Sequence, residues 1–283
     1  MASSARSVKP AAPKLLRLDA RPRFMPYLRD LWGARDFAIT MALNDHRSEN
    51  HGYVLGRLWF LLSPMLRIGV YALVFGVILA GRRPENFIAF LAIGLFLFRF
   101  IQDGIMKGST SLFANRALLH SLHFPRAVLP LSAVLRQFLS FRYEAAVTFA
   151  IVAAVTGGIT PQWLLFAFAL TPLVTIFAFG GALLLAPLVT RVRDMTKVLP
   201  FVFRLFFYLS GVLFPIGLLV DGYPILRFLP FVPFYAYIGL GRHLVLAPDP
   251  DAGLLWMSGV LWASAALIVG ALVFIRGEHR YGR

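Results

Sequence analysis

Apolar runs alternate with short polar blocks along the chain, and their lengths set the first expectation. Six runs, Leu58–Ala80, Phe87–Met106, Gln137–Val155, Trp163–Val189, Val198–Val220 and Leu254–Ile275, come close to the roughly 20 residues a helix needs to cross a bilayer core. The third is interrupted by Arg142 and Glu144. Between the fifth and sixth runs, residues 221–246 are apolar but carry Pro224, Pro230 and Pro233. Proline removes a backbone donor, and irregular backbone at membrane depth must be shielded by protein or line a cavity. That stretch predicts two short re-entrant or interfacial helices. The predicted fold is an all-α integral membrane protein: six transmembrane helices, an N-terminal amphipathic interface helix and the two short helices between spans five and six.

The polar blocks carry patterns of their own. From Tyr27 to Asn44, Leu28, Leu31, Trp32, Ala38, Ile39, Ala42 and Leu43 fall on one side at helical spacing. Arg29, Asp30, Gly33, Asp36, Thr40 and Asn44 fall on the other, and Arg35 intrudes on the apolar side, where it would have to snorkel. The stretch predicts a helix able to lie flat at the membrane interface; a helix packed in a small cytoplasmic domain fits the same spacing. Residues 1–26 mix Pro, Ala and basic residues and predict a disordered basic arm near the lipid surface. Residues 27–57 then hold the interface helix and a linker, and residues 58–283 the membrane domain.

Ser109 to Pro130 predicts a short amphipathic connector helix at about residues 115–122. Asn115 can cap its start through its side-chain oxygen. Leu118, Leu119 and Leu122 make an apolar stripe, while Arg116, His120 and Ser121 point elsewhere. Phe124-Pro125 ends it. By pattern alone, an ordinary loop helix fits equally well. Further on, Asp194 can cap a helix start after Thr190-Arg191-Val192-Arg193, and Gly211, Gly217 and Gly222 with Pro215 allow bending.

Composition confirms the solvent. The chain is 59% hydrophobic and 14% charged, where a soluble domain is typically about a quarter charged. Its net charge is +15, but the basic residues sit between apolar runs. That suits anionic head groups and the positive-inside rule rather than nucleic acid. With the N-terminus inside, the inner segments hold 20 of the 28 Lys and Arg residues, from Arg6 to Arg283, and the outer segments only Arg82, Arg83, Arg227 and Arg242. Both termini are therefore expected in the cytoplasm, with the connector beside them. The first apolar run begins near Leu58, so no cleavable signal peptide is expected.

Some chemistry is excluded. No cysteine is present, which removes disulfides, thiolate metal sites and cysteine nucleophiles. No GxxxxGK[ST] loop occurs, so ATP binding is not expected in this chain. His46, His51, His120 and His123 show no metal spacing, and the 13 acidic residues are not clustered in a polar loop. Both points argue against a membrane-embedded glycan-modifying enzyme. Unrepeated spans argue against a secondary transporter.

Six charges fall inside the predicted spans: Arg67, Arg99, Asp103, Arg142, Glu144 and Arg204. A charge at a helix centre costs about 2.5–3.5 kcal/mol on insertion scales, so such groups face protein or water. Arg99 and Asp103 are four apart and can pair on one face. Glu144 can pair with an arginine of another span. Inter-helix salt bridges account for these residues; so does an electropositive vestibule that receives a phosphate-bearing ligand, since the guanidinium fork fits phosphate. Among the 27 phenylalanines, most are packing or lipid-facing residues. Tyr71, Phe75, Phe207, Tyr208 and Phe214 are the candidates to line a path, since aromatic rings make a smooth wall that can stack on flat ligand faces.

The order Gly94-Leu95, Phe98, Asn115, Leu118, Phe124-Pro125-Arg126 and Leu129-Pro130 resembles the membrane subunits of ABC-2 type polysaccharide exporters, which move O-antigen, teichoic acid or actinobacterial galactan. Val54-Leu55-Gly56 with Trp59 is similar to that family's lead-in to the first span, although Arg47-Ser48-Glu49-Asn50-His51 departs from its basic-aromatic run. Arg193-Asp194 resembles its turn between spans four and five. The resemblance implies that Asn115, Arg116, Leu118, Leu119, His120, Leu122, Phe124 and Arg126 form a coupling helix for a separate ATPase, which would bind ATP and Mg. It further implies a homodimer with two ATPase copies in the bacterial inner membrane. The path would run between spans one and five, with an outer gate at Pro215, Pro224, Pro230 and Pro233. The cargo would be a polyprenyl-pyrophosphate-linked polysaccharide. Ala- and Arg-rich usage fits a high-GC organism and favours the galactan branch; a permease for a smaller drug or lipid is the alternative.

Overall fold

The computed structural model describes residues 24–48, 58–78, 84–122, 124–215 and 223–278, with backbone alone at positions 24, 28, 120, 224 and 225. Residues 1–23 of the expected arm, the lead-in Val54-Leu55-Gly56, and Arg57, Arg82, Arg83, His123, Gly217, Gly222, Arg280 and Arg283 lie outside the described residues. Those described form helices and no strand. They are α1 (Phe24–Gly33), α2 (Arg35–Ser48), α3 (Trp59–Ile78), α4 (Phe87–Ala114), α5 (Arg116–Ser121) and α6 (Val128–Thr156). Then come α7 (Gln162–Arg191), α8 (Met195–Leu209), a 3₁₀ stretch (Pro224–Phe231), α9 (Pro233–Val245) and α10 (Ala252–Gly277). Five of them, α3, α4, α6, α7 and α10, are long and apolar enough to cross a membrane. The expected all-α membrane fold is borne out.

Several boundaries differ from the sequence reading, each for a local reason. The N-terminal helix begins at Phe24, inside the expected arm, and breaks at Ala34 into α1 and α2. Side by side with α6 and in the same direction, α2 pairs Phe37 with Phe124, Met41 with Ser132, Asp45 with Arg136 and His46 with Ser140. It does not lie across the bundle. The expected fifth span, Val198–Val220, is represented by the 15-residue α8, about 22 Å long at 1.5 Å per residue. It stops at Leu209 because the chain turns through Gly211, whose φ of 70° suits glycine. Helices α4 and α6 outlast their apolar runs at the end that carries α5. There Ser109, Thr110 and Ser111 bond back to carbonyls of the preceding turn, and Lys107 Nζ donates to Gln137 Oε1 at 2.9 Å.

In α7 a π turn spans Phe166–Leu170. Thr171-Pro172 follows directly; the proline has no N–H to continue the ladder, and Thr171 Oγ1 donates to the Phe166 carbonyl at 2.9 Å.

Small residues let the helices touch. On α4, Gly104 and Gly108 face Ala178 and Ala182 of α7. A Cβ on Gly180 would stand 2.4 Å from the backbone of Ala266 and Leu267 in α10, a backbone-to-backbone contact of the kind that packs membrane helices. Aromatic pairs join α4 to α6, with Phe96 and Phe100 at 3.9 and 4.1 Å from Phe141. The short helix α9 enters the middle of this core, as the proline-broken segment leads one to expect. The Tyr237 hydroxyl of α9 donates to the Gly259 carbonyl at 2.8 Å. Arg242, counted among outer charges by sequence, turns inward. It donates to the carbonyls of Gly211, Val212 and Phe90 at 2.9, 3.0 and 3.3 Å and lies over the Phe90 ring.

Candidate functional site

The connector is a six-residue helix, α5. Its backbone starts at Asn115, but the expected side-chain cap is not made. Asn115 Nδ2 instead donates to Ser111 O at 2.9 Å, the same carbonyl that accepts from the Asn115 backbone N–H at 3.1 Å. Only the Asn115 carbonyl serves α5, accepting from Leu118 and Leu119 at 3.1 and 3.2 Å. Leu118 and Leu119 pack on an apolar floor that includes Tyr27, Leu112, Leu129, Leu183 and Phe274. Leu122 leaves the expected stripe: the helix has ended in extended backbone, and the side chain is 51% exposed. Phe124 is half-buried, edge-on to Phe37 at 5.4 Å. The His120 side chain lies outside the described residues.

Arg116 and Arg193 both lie over the ring of Phe113, at 5.1 and 5.0 Å. The turn between α7 and α8 therefore meets the connector through shared cation–π contacts. Asp194 occupies the cap position of α8 but makes no side-chain cap bond; its carbonyl serves Lys197 and Val198. Arg116, Ala117, Ser121 and Leu122 leave the connector with an exposed face. Beside it, α2, α4 and α6 enclose a polar cavity of about 240 Å³, lined by Asp45, Lys107, Thr110, Asn115, Ser132 and Arg136.

Four of the six intramembrane charges are brought together. Arg67 Nη1 of α3 meets Glu144 Oε1 of α6 at 3.9 Å, and Arg99 Nη2 meets Asp103 Oδ2 at 3.2 Å on α4. The two pairs lie within electrostatic reach of each other and balance in charge. Arg142 and Arg204 stand apart and exposed. Arg142 donates to Leu139 O, and Arg204 lies over Phe201.

One helical turn beyond Arg67, the aromatic candidates form a line. Tyr71 stacks with Phe75 at 6.2 Å and meets Phe207 of α8 at 5.7 Å; Phe207 in turn meets Tyr208 at 5.7 Å and Phe98 of α4 at 5.1 Å. Phe214 is not part of this line and packs on the main core. Around the line, α3 and α8 present bare apolar surface at Leu73, Val77, Phe201 and Leu205.

The proline candidates sit where segments begin or bend. Pro224 opens the 3₁₀ stretch, Pro230 lies inside it and Pro233 opens α9, positions that tolerate a missing N–H. Pro215 lines a separate cavity of about 420 Å³ with Glu85, Phe90, Tyr235, Arg242 and His243. Sequence reasoning missed the α4–α7 seam, although Gly104 and Gly108 stand at the GxxxG spacing that signals it. It also missed Tyr27 and Glu278, for which no local signal exists.

No family model matches the chain. Among curated proteins, it is similar to the O-antigen export system permease protein RfbA of Myxococcus xanthus, 27% identical over 195 residues that cover 69% of this chain and 74% of that one. It is also similar to two proteins of the same name from Klebsiella pneumoniae. One is 23% identical over 87% of this chain and 93% of its own length; the other is 25% identical over 63% and 69%. With an all-helical fold and five helices fit to cross a membrane, these likenesses bear out the resemblance to the permease subunits of ABC-2 type polysaccharide exporters.

Proposed function

We propose that this chain is the transmembrane subunit of an ATP-driven exporter that carries a polyprenyl-pyrophosphate-linked polysaccharide outward across a bacterial inner membrane. The observation that carries the reading is likeness, over most of the chain, to permeases of O-antigen export. The half-buried aromatic line of α3 and α8, set in exposed apolar surface, supports it. One copy leaves that face uncovered, and two copies facing each other would enclose a path lined by Tyr71, Phe75, Phe207 and Tyr208. Aromatic walls stack on sugar faces and still let a chain slide. The exposed side of α5 would receive a separate ATPase, which supplies the ATP and Mg site. Two ATPase copies would serve the homodimer. The excess of basic residues on the connector side supports a cytoplasmic position for both termini and α5. Arg67 and Arg99, beside the aromatic line, are the groups placed to meet a pyrophosphate. Galactan is the cargo favoured by composition.

The test is co-expression with the ATPase encoded beside it, followed by purification of the complex into nanodiscs. ATP hydrolysis is then measured with and without lipid-linked glycans. Stimulation by a lipid-linked polysaccharide is expected, and depletion of the permease should leave that glycan on the cytoplasmic side. Stimulation by drugs or simple lipids alone would replace this reading with that of a small-amphiphile exporter.

A further inference from the structure

The first turn of α6 is capped by residues from distant parts of the chain. Ala127 occupies its cap position and has no side-chain acceptor to offer. Its N–H donates instead to Tyr27 Oη of α1 at 3.1 Å. The N–H of Arg126 donates to Glu278 Oε1, immediately after α10, at 3.2 Å. The Arg126 guanidinium donates to the Glu278 carbonyl, and Tyr27 hydrogen-bonds the Glu278 carboxyl. Burial pushes that carboxyl above the usual range, while Arg126 and Tyr27 draw it back. The first turn's own donors, the N–H groups of Val128 and Leu129, bond to the carbonyls of Pro125 and Arg126; the two N–H groups just before it are met by residues 100 and 152 positions away.

What α6 touches gives this cap its meaning. At its start it follows the connector; further along, Arg136 meets Asp45 of α2, and Glu144 meets Arg67 of α3. It is a continuous rod from Val128, in whose first turn Leu129 shares an apolar floor with Leu118 and Leu119 of α5, to Glu144, whose partner Arg67 sits one turn from the aromatic line. A rod with a frayed first turn would absorb a push; one with its first turn fastened would pass it on.

We infer that Tyr27 and Glu278 are positioning residues for energy coupling, holding the start of α6 to α1 and α10 so that movement of α5 shifts α6 and its Arg67–Glu144 contact as one body. This rests on the reading of α5 as the ATPase-docking element. Neither residue touches nucleotide or cargo.

The test uses the permease–ATPase complex in liposomes, with Tyr27→Phe, Glu278→Ala and Glu278→Gln. Tyr27→Phe and Glu278→Ala should assemble with the ATPase and hydrolyse ATP at near the parent rate, while export per ATP falls roughly tenfold. Glu278→Gln keeps an oxygen that accepts from Arg126 and should retain most of the coupling. Unchanged export per ATP in Tyr27→Phe and Glu278→Ala overturns the inference. So does a loss of hydrolysis and export in equal proportion, because that marks a structural role only. A second measurement needs no partner: amide exchange across residues 124–130 of the full permease. Tyr27→Phe should speed it, and unaltered protection would refute the distant cap itself. A parent complex that assembles but shows no ATP-dependent export overturns the functional reading, and the coupling role with it, while the exchange result on the cap still stands.

Discussion

Helices α3 and α4 are nearly equal in hydropathy, yet in their most apolar 18-residue stretches 11% of one and 72% of the other is buried within the protein. On α4 almost every residue from Ala89 to Ile101 is enclosed, and Gly104 and Gly108 are pressed against Ala178 and Ala182. On α3 only Pro64 and Ile68 are buried, and Gly69 has nothing within 4 Å of where its Cβ would be. Hydropathy measures whether a helix tolerates hydrocarbon. It does not say whether its neighbours are lipid, the same chain or another copy. The side chains that decide this are the small ones, since a membrane interface has no water to expel and must win by close packing.

Matched substitutions sharpen that contrast. Gly108→Leu drives a branched side chain into Ala182, whose Cβ would lie 2.5 Å from the new Cβ. It should cost about 3 kcal/mol and is expected to abolish monodisperse purification. Gly69→Leu should leave the isolated subunit as stable as the parent; if α3 meets a second copy, it will instead shift the dimer toward monomer on size-exclusion with light scattering. Next in size, Leu97→Ala, fully buried, should lower stability by about 2–5 kcal/mol. Leu73→Ala, 71% exposed, should stay within about 0.5 kcal/mol. Equal losses from the two would end the distinction. Arg242→Met frees the carbonyls of Gly211 and Val212 and should cost about 1–3 kcal/mol by thermal unfolding. Tyr71→Ala and Phe207→Ala should change thermal stability least among the aromatic and core variants while lowering export several-fold at equal abundance. Normal export in both would remove the path from this face.

The smallest effect concerns pH. The native Glu278 carboxyl titrates above its ordinary value near 4.5. The unfolded chain therefore releases that proton first, and stability falls as pH rises through the interval between the two values, then levels. Glu278→Gln should flatten that part of the profile of Tm against pH.

Length and apolarity made the membrane helices legible, because a span is a local property of about 20 residues. The broken segment was legible for the same reason: Pro224 opens its 3₁₀ stretch and Pro233 opens α9, while Pro230 lies within the 3₁₀ stretch. Pairings within one helix or between charges scarce in hydrocarbon were also foreseeable, as with Arg99–Asp103. The Asn115 cap failed because its amide is turned back toward α4, with Nδ2 donating to the Ser111 carbonyl, and Oδ1 meets no N–H of α5. The α4 and α6 extensions were hidden since polar residues end a hydropathy run without ending a helix. Leu122 left the stripe when α5 stopped a residue before it. The inward turn of Arg242 and the joining of Tyr27, Ala127 and Glu278 depend on contacts between distant segments, to which no window of sequence is sensitive.

The fastening of α6 also sets an order of events during synthesis. Glu278 is made 152 residues after Arg126, when the ribosome has already delivered α7, α8, α9 and α10. Until then the helix after the connector begins with an open N–H and a half-built floor lacking Phe274. A chain cut before α10 therefore holds the start of α6 only through the Tyr27–Ala127 bond.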